Sequence, residues 1–167
     1  CDINEFNGGQ YCIVKDQGLR DIIGIPVFLH RRFRHGFIFI NKRAGIHSPK
    51  DLVGRRVGMN SYGPAAHYWM RGHLEHDFGV PHRSLTYVVE RPEDVPAIDP
   101  PSDLKIEVLP KGKDVEKMLL SGELDAIMAP GVMREVSLRD PRVGHLWDNY
   151  EEVEREYYIR TGIFPIM

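Results

Sequence analysis

Two groups of side chains in this sequence have the types and spacing to handle an organic acid. The first is HRRFRH, residues 30–35, which packs three arginines and two histidines into six positions. In an extended chain Arg32 and Arg34 point one way, while Arg31, Phe33 and His35 point the other. A guanidinium meets a carboxylate through two parallel N–H···O bonds, a fit no other side chain matches. Arg32 and Arg34 are therefore candidates to grip a dicarboxylate. The ordinary alternative is a solvated basic edge. The apolar runs PVF and GFIFI on either side weigh against it, because they bring the charges close to a buried sheet.

The second group lies in HSPKDLVGRRVGMNSYGPAAHYWMR, residues 47–71. It reads as a polar turn, a buried strand, a bend with Ser61 and Tyr62, and then a helix. A strand that runs directly into a helix start leaves N–H groups and the positive end of the helix dipole facing a crevice, a natural seat for a small anion. Ser61 can cap the helix or bind the anion, and the two roles use the same atoms. His67 lies one turn into the helix with Arg71 on the same side at i+4; it either faces the crevice or is a surface histidine among polar neighbours. Glu5 and Asn7 sit at a similar strand-to-helix turn, where ligands collect in open α/β sheets and where polar residues are also ordinary turn formers. Pro130-Gly131 follows another strand end and offers backbone only. His73, His76 and Asp77 have ligand-type spacing, but no further ligand is placed by sequence and H-E-x-x-H is absent, so no metal ligand is assigned. Dinucleotide, P-loop, nucleophile-elbow and thiol–imidazole signatures are also missing.

These groups need elements to position them. A short helix is expected around Gln10 to Lys15, then strands over Asp21 to Phe28 and over GFIFIN. Pro49 opens a single turn, and Arg56 to Met59 is a short strand. Pro64 to Phe78 is the best helix, with Ala66, Met70, Leu74 and Phe78 in one stripe and Gly79 closing it. Strands follow at Leu85 to Val89, Ile106 to Leu109 and Leu124 to Ala129, with a proline-rich loop over 90–103. Helices are expected at Asp114 to Ser121 and Glu151 to Arg160. Residues 132–149 read as irregular, and IFPIM as an unfinished strand. The alternation from 52 to 129 predicts an α/β fold with a mostly parallel sheet.

Composition sets the outer bounds. The 167 residues are 42% hydrophobic and 28% charged, values of an ordinary globular chain. Twenty-two basic against twenty-four acidic side chains give a net charge of −2, so no global basic field recruits nucleic acid. No apolar run is long enough to enter and cross a bilayer. Cys1 and Cys12 are too few for a disulfide framework or a cysteine zinc site. A start at Cys1 without Met, and the unfinished last strand, read as a piece of a longer chain.

Several segments together resemble the 4,5-dihydroxyphthalate decarboxylase family: CDINEFN, IPVFLHRRFRHGFIFIN, GIHSPKDLVGRRVGM, the helix with Trp69, Arg71 and Gly72, SGELDAIMAP and YYIRTGIFPIM. FRH and RTGIFPIM are the more specific parts, whereas SPKDLVGRRVG is shared with many solute-binding proteins. The resemblance implies a type 2 periplasmic-binding-protein-like α/β fold, with two lobes of mixed sheet flanked by helices and lobe 1 incomplete. Residues 1–46 would be partial lobe 1 with a hinge strand, 47–160 lobe 2, and 161–167 the start of the return to lobe 1. NSYGP and the proline-rich loop depart from the family pattern. So does the end of the chain, since the family continues past FPIM with a histidine that is absent here.

The implied activity is decarboxylation of a hydroxylated aromatic mono- or dicarboxylic acid, by ring protonation and loss of CO2. Arg32 and Arg34 would hold carboxylates, and His35 would donate the proton with His67 in reserve, since histidine titrates near neutral pH. Ser61, Tyr62, Asn7 and Arg71 would complete the binding wall, and Glu5 would accept a hydroxyl proton. No organic cofactor is implied, and a divalent metal is allowed but not demanded. The expected partner is a small aromatic or organic acid; a homo-oligomer is compatible with the sequence. The expected compartment is the cytoplasm. The competing reading is the solute-binding protein of an uptake system, which would be periplasmic and use the same arginines without turnover; a third is the sensing part of a transcription regulator.

Overall fold

The computed structural model describes residues 3–27, 29–93, 100–129, 131 and 139–165. Its frame is a mixed six-stranded sheet in the order β4-β3-β2-β5-β1-β6. The strands are β1 Ile38–Asn41, β2 Arg56–Met59, β3 Thr86–Val89, β4 Lys105–Val108, β5 Ala126–Met128 and β6 Val143–His145. β2 runs parallel to β3 and β5, and β3 parallel to β4. β1 is antiparallel to both β5 and β6, so it alone is reversed. The inner strands are buried almost throughout, while edge strand β4 is largely exposed. That explains why the inner strands read as continuous apolar runs rather than alternations.

Helices cover both faces. Among the described residues they are α1 Gly8–Asp16, α2 Ala65–His76, α3 Val115–Ser121 and α4 Tyr150–Thr161. Ile38, Ile40, Val57, Met59, Tyr87 and Met128 pack with Met70 and Leu74 of α2. Phe39, Val88 and Ile127 point the other way and pack with Val115, Met118 and Leu119 of α3. The two-residue strand period sorts these side chains between the layers. Gly58 lets α3 approach closely: a Cβ there would stand 2.6 Å from Leu124 Cδ1 and 3.0 Å from Val115 Cβ. No helix among the described residues is long and apolar enough to cross a membrane.

Three local expectations differ from the structure. The expected strand over Asp21 to Phe28 joins no ladder among its described residues (Phe28 lies outside them), and Ile22, Ile23, Ile25 and Val27 are all exposed. β-branched residues favour a strand only where a partner and a covered face exist. The region expected to be irregular contains β6, which pairs with β1; residues 132–138 lie outside the described residues. Of IFPIM, residues 163–165 form no strand, although Arg32 N–H donates to the Pro165 carbonyl at 3.1 Å. Ile166 and Met167 lie outside the described residues.

Candidate functional site

The carboxyl ends of β2 and β5 open beside the first turns of α2. β2 ends at Met59 and the chain turns through Asn60, Ser61, Tyr62 and Gly63 to Pro64. Pro64 fixes the entry to the helix, since it needs no N–H there. Ser61 is fully buried, and its Oγ has no hydrogen-bond partner among the described residues. The amides around it are engaged from within the chain. Glu93 Oε1 accepts from Tyr62 N–H at 2.6 Å and Gly63 N–H at 2.8 Å. Asn7 Oδ1 accepts from Ala65 N–H at 2.9 Å, as well as from Gly9 and Gln10 N–H of α1. The helix start that the sequence reading leaves open to an anion thus already faces an internal carboxylate and an amide oxygen.

His67 and Arg71 project inward from α2 and are both buried. His67 Nε2 lies 3.2 Å from the Met128 carbonyl at the end of β5. A carbonyl only accepts, so Nε2 carries the hydrogen and Nδ1 keeps its lone pair. Nδ1 has no partner among the described residues. Burial first, then the positive charge of Arg71 and, more weakly, that of Arg34, push the imidazole down to about 3, against the backbone of Met128 and of Ser61. His67 is therefore neutral at pH 7.

Arg71 sits in an aromatic cage. Its guanidinium carbon lies 3.8 Å from the Tyr62 ring centroid, 4.7 Å from Tyr68 and 5.9 Å from Tyr87. Nη1 donates to the Tyr62 carbonyl at 2.8 Å, while Nη2 has no partner among the described residues. Ring faces attract a desolvated cation, which offsets part of the cost of burying it. Burial still lowers the Arg71 pKa from the usual arginine range, and it raises the Tyr62, Tyr68 and Tyr87 hydroxyls, which stay protonated.

Arg34 is 1% exposed and Arg32 is exposed. Both guanidinium groups lie over the Phe37 ring, at 5.0 and 5.4 Å. Burial and the charge of Arg32 bring Arg34 down to about 10, with Glu154 opposing. Glu154 of α4 also accepts from Gly36 N–H at 3.1 Å, which holds the turn His35–Phe37 against that helix.

The structure thus gathers Ser61, Tyr62, His67 and Arg71 at one end of the sheet, with Asn7 at the same helix start and the charge of Arg34 within reach of His67. It places His35 elsewhere: the ring stacks on His73 at 4.1 Å and meets Trp147 edge-on. Glu5 is exposed, and Pro130 lies outside the described residues. Glu93, Tyr68, Tyr87 and the Met128 carbonyl were not singled out from sequence. Tyr68 precedes Arg71 by one turn and could have been found by that spacing. Glu93, in the proline-rich loop, carries no local signal.

Fold and site together define an α/β protein with a buried basic cluster at the carboxyl ends of its strands. No family model matches the chain. It is 30% identical to 4,5-dihydroxyphthalate decarboxylase of Comamonas testosteroni over an alignment 171 positions long, spanning 99% of the chain and 52% of that protein. It is 32% identical to 4,5-dihydroxyphthalate decarboxylase of Pseudomonas putida over an alignment 162 positions long, spanning 94% of the chain and 63% of that protein. The chain is therefore a relative of the 4,5-dihydroxyphthalate decarboxylases along nearly its whole length, and it spans between half and two thirds of theirs.

Proposed function

We propose that the protein carrying this chain decarboxylates a hydroxylated aromatic dicarboxylic acid of the 4,5-dihydroxyphthalate type. The observation that carries the reading is a buried His67 on which the charges of two other buried side chains, Arg71 and Arg34, both act at the strand ends, in a relative of such decarboxylases. In 4,5-dihydroxyphthalate a hydroxyl stands para to each carboxyl-bearing carbon and feeds electron density to it. A proton added to one of those carbons makes a cationic ring. The carbon–carboxyl bond then breaks, its electron pair returns to the ring, and CO2 leaves with 3,4-dihydroxybenzoate as the product. The protein must orient the acid, deliver the proton and polarise a hydroxyl; no organic cofactor is required by that chemistry.

In this reading Arg34 holds one carboxylate and Arg71, through its Nη2, faces the other. Arg32 at the exposed rim draws the dianion in. Ser61, Tyr62 and Asn7 line the wall, and Glu5 accepts from a ring hydroxyl. We place the proton on His67 rather than on His35, because His67 is buried where the charges of Arg71 and Arg34 act on it. A neutral His67 is a poor acid by itself. A dianion entering beside it favours the protonated form, so the substrate would load its own proton donor. The site would lie between two lobes of a type 2 periplasmic-binding-protein-like molecule in the cytoplasm.

The test is to supply the protein with a panel of hydroxylated aromatic acids and to measure CO2 release alongside binding. Release from ortho-dicarboxylates bearing a para hydroxyl supports the proposal. Tight binding without release would instead identify a solute-binding protein.

A further inference from the structure

A second cluster lies where the C-terminal half of α2 meets the His35–Phe37 turn and α4. His35 and His73 stack with ring planes 29° apart, and they are 1% and 3% exposed. Asp77 follows His73 by one turn and accepts from its Nδ1 at 3.0 Å. One ligand atom from each of the three residues lies within 4.8 Å of the others. Both ring nitrogens of His35 and Nε2 of His73 have no hydrogen-bond partner among the described residues. A cavity of about 300 Å³ opens beside them, lined among others by His35, His76, Asp77, Trp147, Glu156 and Arg160.

We propose that His35, His73 and Asp77 bind a borderline divalent metal ion, zinc above all. Two imidazoles and one carboxylate are a nitrogen-rich donor set, suited to zinc, cobalt, nickel or copper rather than to magnesium or calcium. Imidazole must be neutral to donate its lone pair, and burial holds both rings below their usual range. Three protein ligands leave a fourth tetrahedral position, which the adjoining cavity can fill with water. Two ligand atoms bound to one tetrahedral zinc at about 2.1 Å stand about 3.4 Å apart, so the cluster, whose ligand atoms lie within 4.8 Å of one another, must contract by up to about 1.4 Å and the stacked rings must splay. No hydrogen bond to the His35 ring among the described residues resists that turn. Arg160 tunes the site from the other side, since its Nη2 donates to Asp77 Oδ1 at 2.6 Å and competes with a metal for the carboxylate. A metal here would tie the His35–Phe37 turn to α2.

The experiment titrates the chelator-stripped chain with zinc by calorimetry and with cobalt by visible absorption. One equivalent of metal and an intense four-coordinate cobalt band are expected. His35→Phe and His73→Phe keep an aromatic ring in the stack, and each should weaken binding at least tenfold. Arg160→Gln, which removes the competing cation, should tighten it severalfold. Absence of binding in the native chain would overturn the proposal. So would affinity unchanged in both phenylalanine variants, or affinity lost on His76→Gln alone. None of these readouts depends on decarboxylation, so this site and the proposed activity stand or fall separately.

Discussion

Arg71 lies against Tyr62 in two ways at once: its guanidinium covers the ring at 3.8 Å and its Nη1 donates to the backbone carbonyl at 2.8 Å. A residue in the middle of the turn after β2 is thereby clasped by a side chain two turns into α2. Lysine can carry the charge but cannot cover a ring with a plane while it donates along a fixed fork. Arg71→Lys should lower stability by about 1–3 kcal/mol, the scale of a lost hydrogen bond to a charged group. Urea unfolding checks this, and a variant as stable as the native chain would show that the clasp contributes nothing.

Glu93 bridges Tyr62 N–H and Gly63 N–H from a distant loop. Its carboxylate stands where an incoming anion would bind those amides. Glu93→Ala should therefore cost about 1–2 kcal/mol of stability and at the same time strengthen binding of sulfate or phthalate. Thermal shift with and without these anions separates the two effects. If added anion stabilises the variant no more than the native chain, the amides are not an anion seat.

Arg34 and Arg32 share the Phe37 ring but differ in burial. Arg34→Ala should weaken binding of an aromatic dicarboxylate to the protein carrying this chain by about 1–3 kcal/mol. Arg32→Ala should cost about 0–1 kcal/mol, because an exposed charge is screened. Calorimetry at two salt concentrations tests the ranking, and a larger loss at Arg32 would reverse the assignment.

The buried His67 makes stability depend on pH in a defined direction. Its native pKa is pushed down to about 3, mainly by burial and then by Arg71, whereas an unfolded histidine titrates near 6.5. Between those values the unfolded chain takes up a proton that the native site refuses. Stability is then complete above about pH 6.5 and falls as pH drops toward about 3. His67→Gln keeps an N–H for the Met128 carbonyl but cannot titrate, so it should flatten this window relative to the native chain. Parallel curves from denaturant titrations across the window would mean that His67 does not contribute.

Much of the sheet was legible because its elements signal locally. The apolar run at 38–40, the short strand at 56–59, the Ala66, Met70 and Leu74 stripe of α2 and the Asp114 cap of α3 lie where the sequence places them, whereas α2 ends at His76, before the Phe78 that the expected helix included. Ile22 to Val27 looked equally strand-like, but strand formation there depends on a partner that spacing does not supply. β6 was missed because three residues, VGH, make no run. Within the site, the i+4 step from His67 to Arg71 was readable. The Glu93 bridge and the seating of His35 on His73 join residues far apart in the chain, and such pairings carry no periodic trace.

Asn7 places one oxygen over the opening turns of two helices, α1 and α2. The N-terminal segment is thereby geared to the helix that carries His67 and Arg71. A displacement of the backbone ahead of residue 7 would be felt first at Ala65, half a turn before that histidine, because the Asn7 oxygen is bonded there.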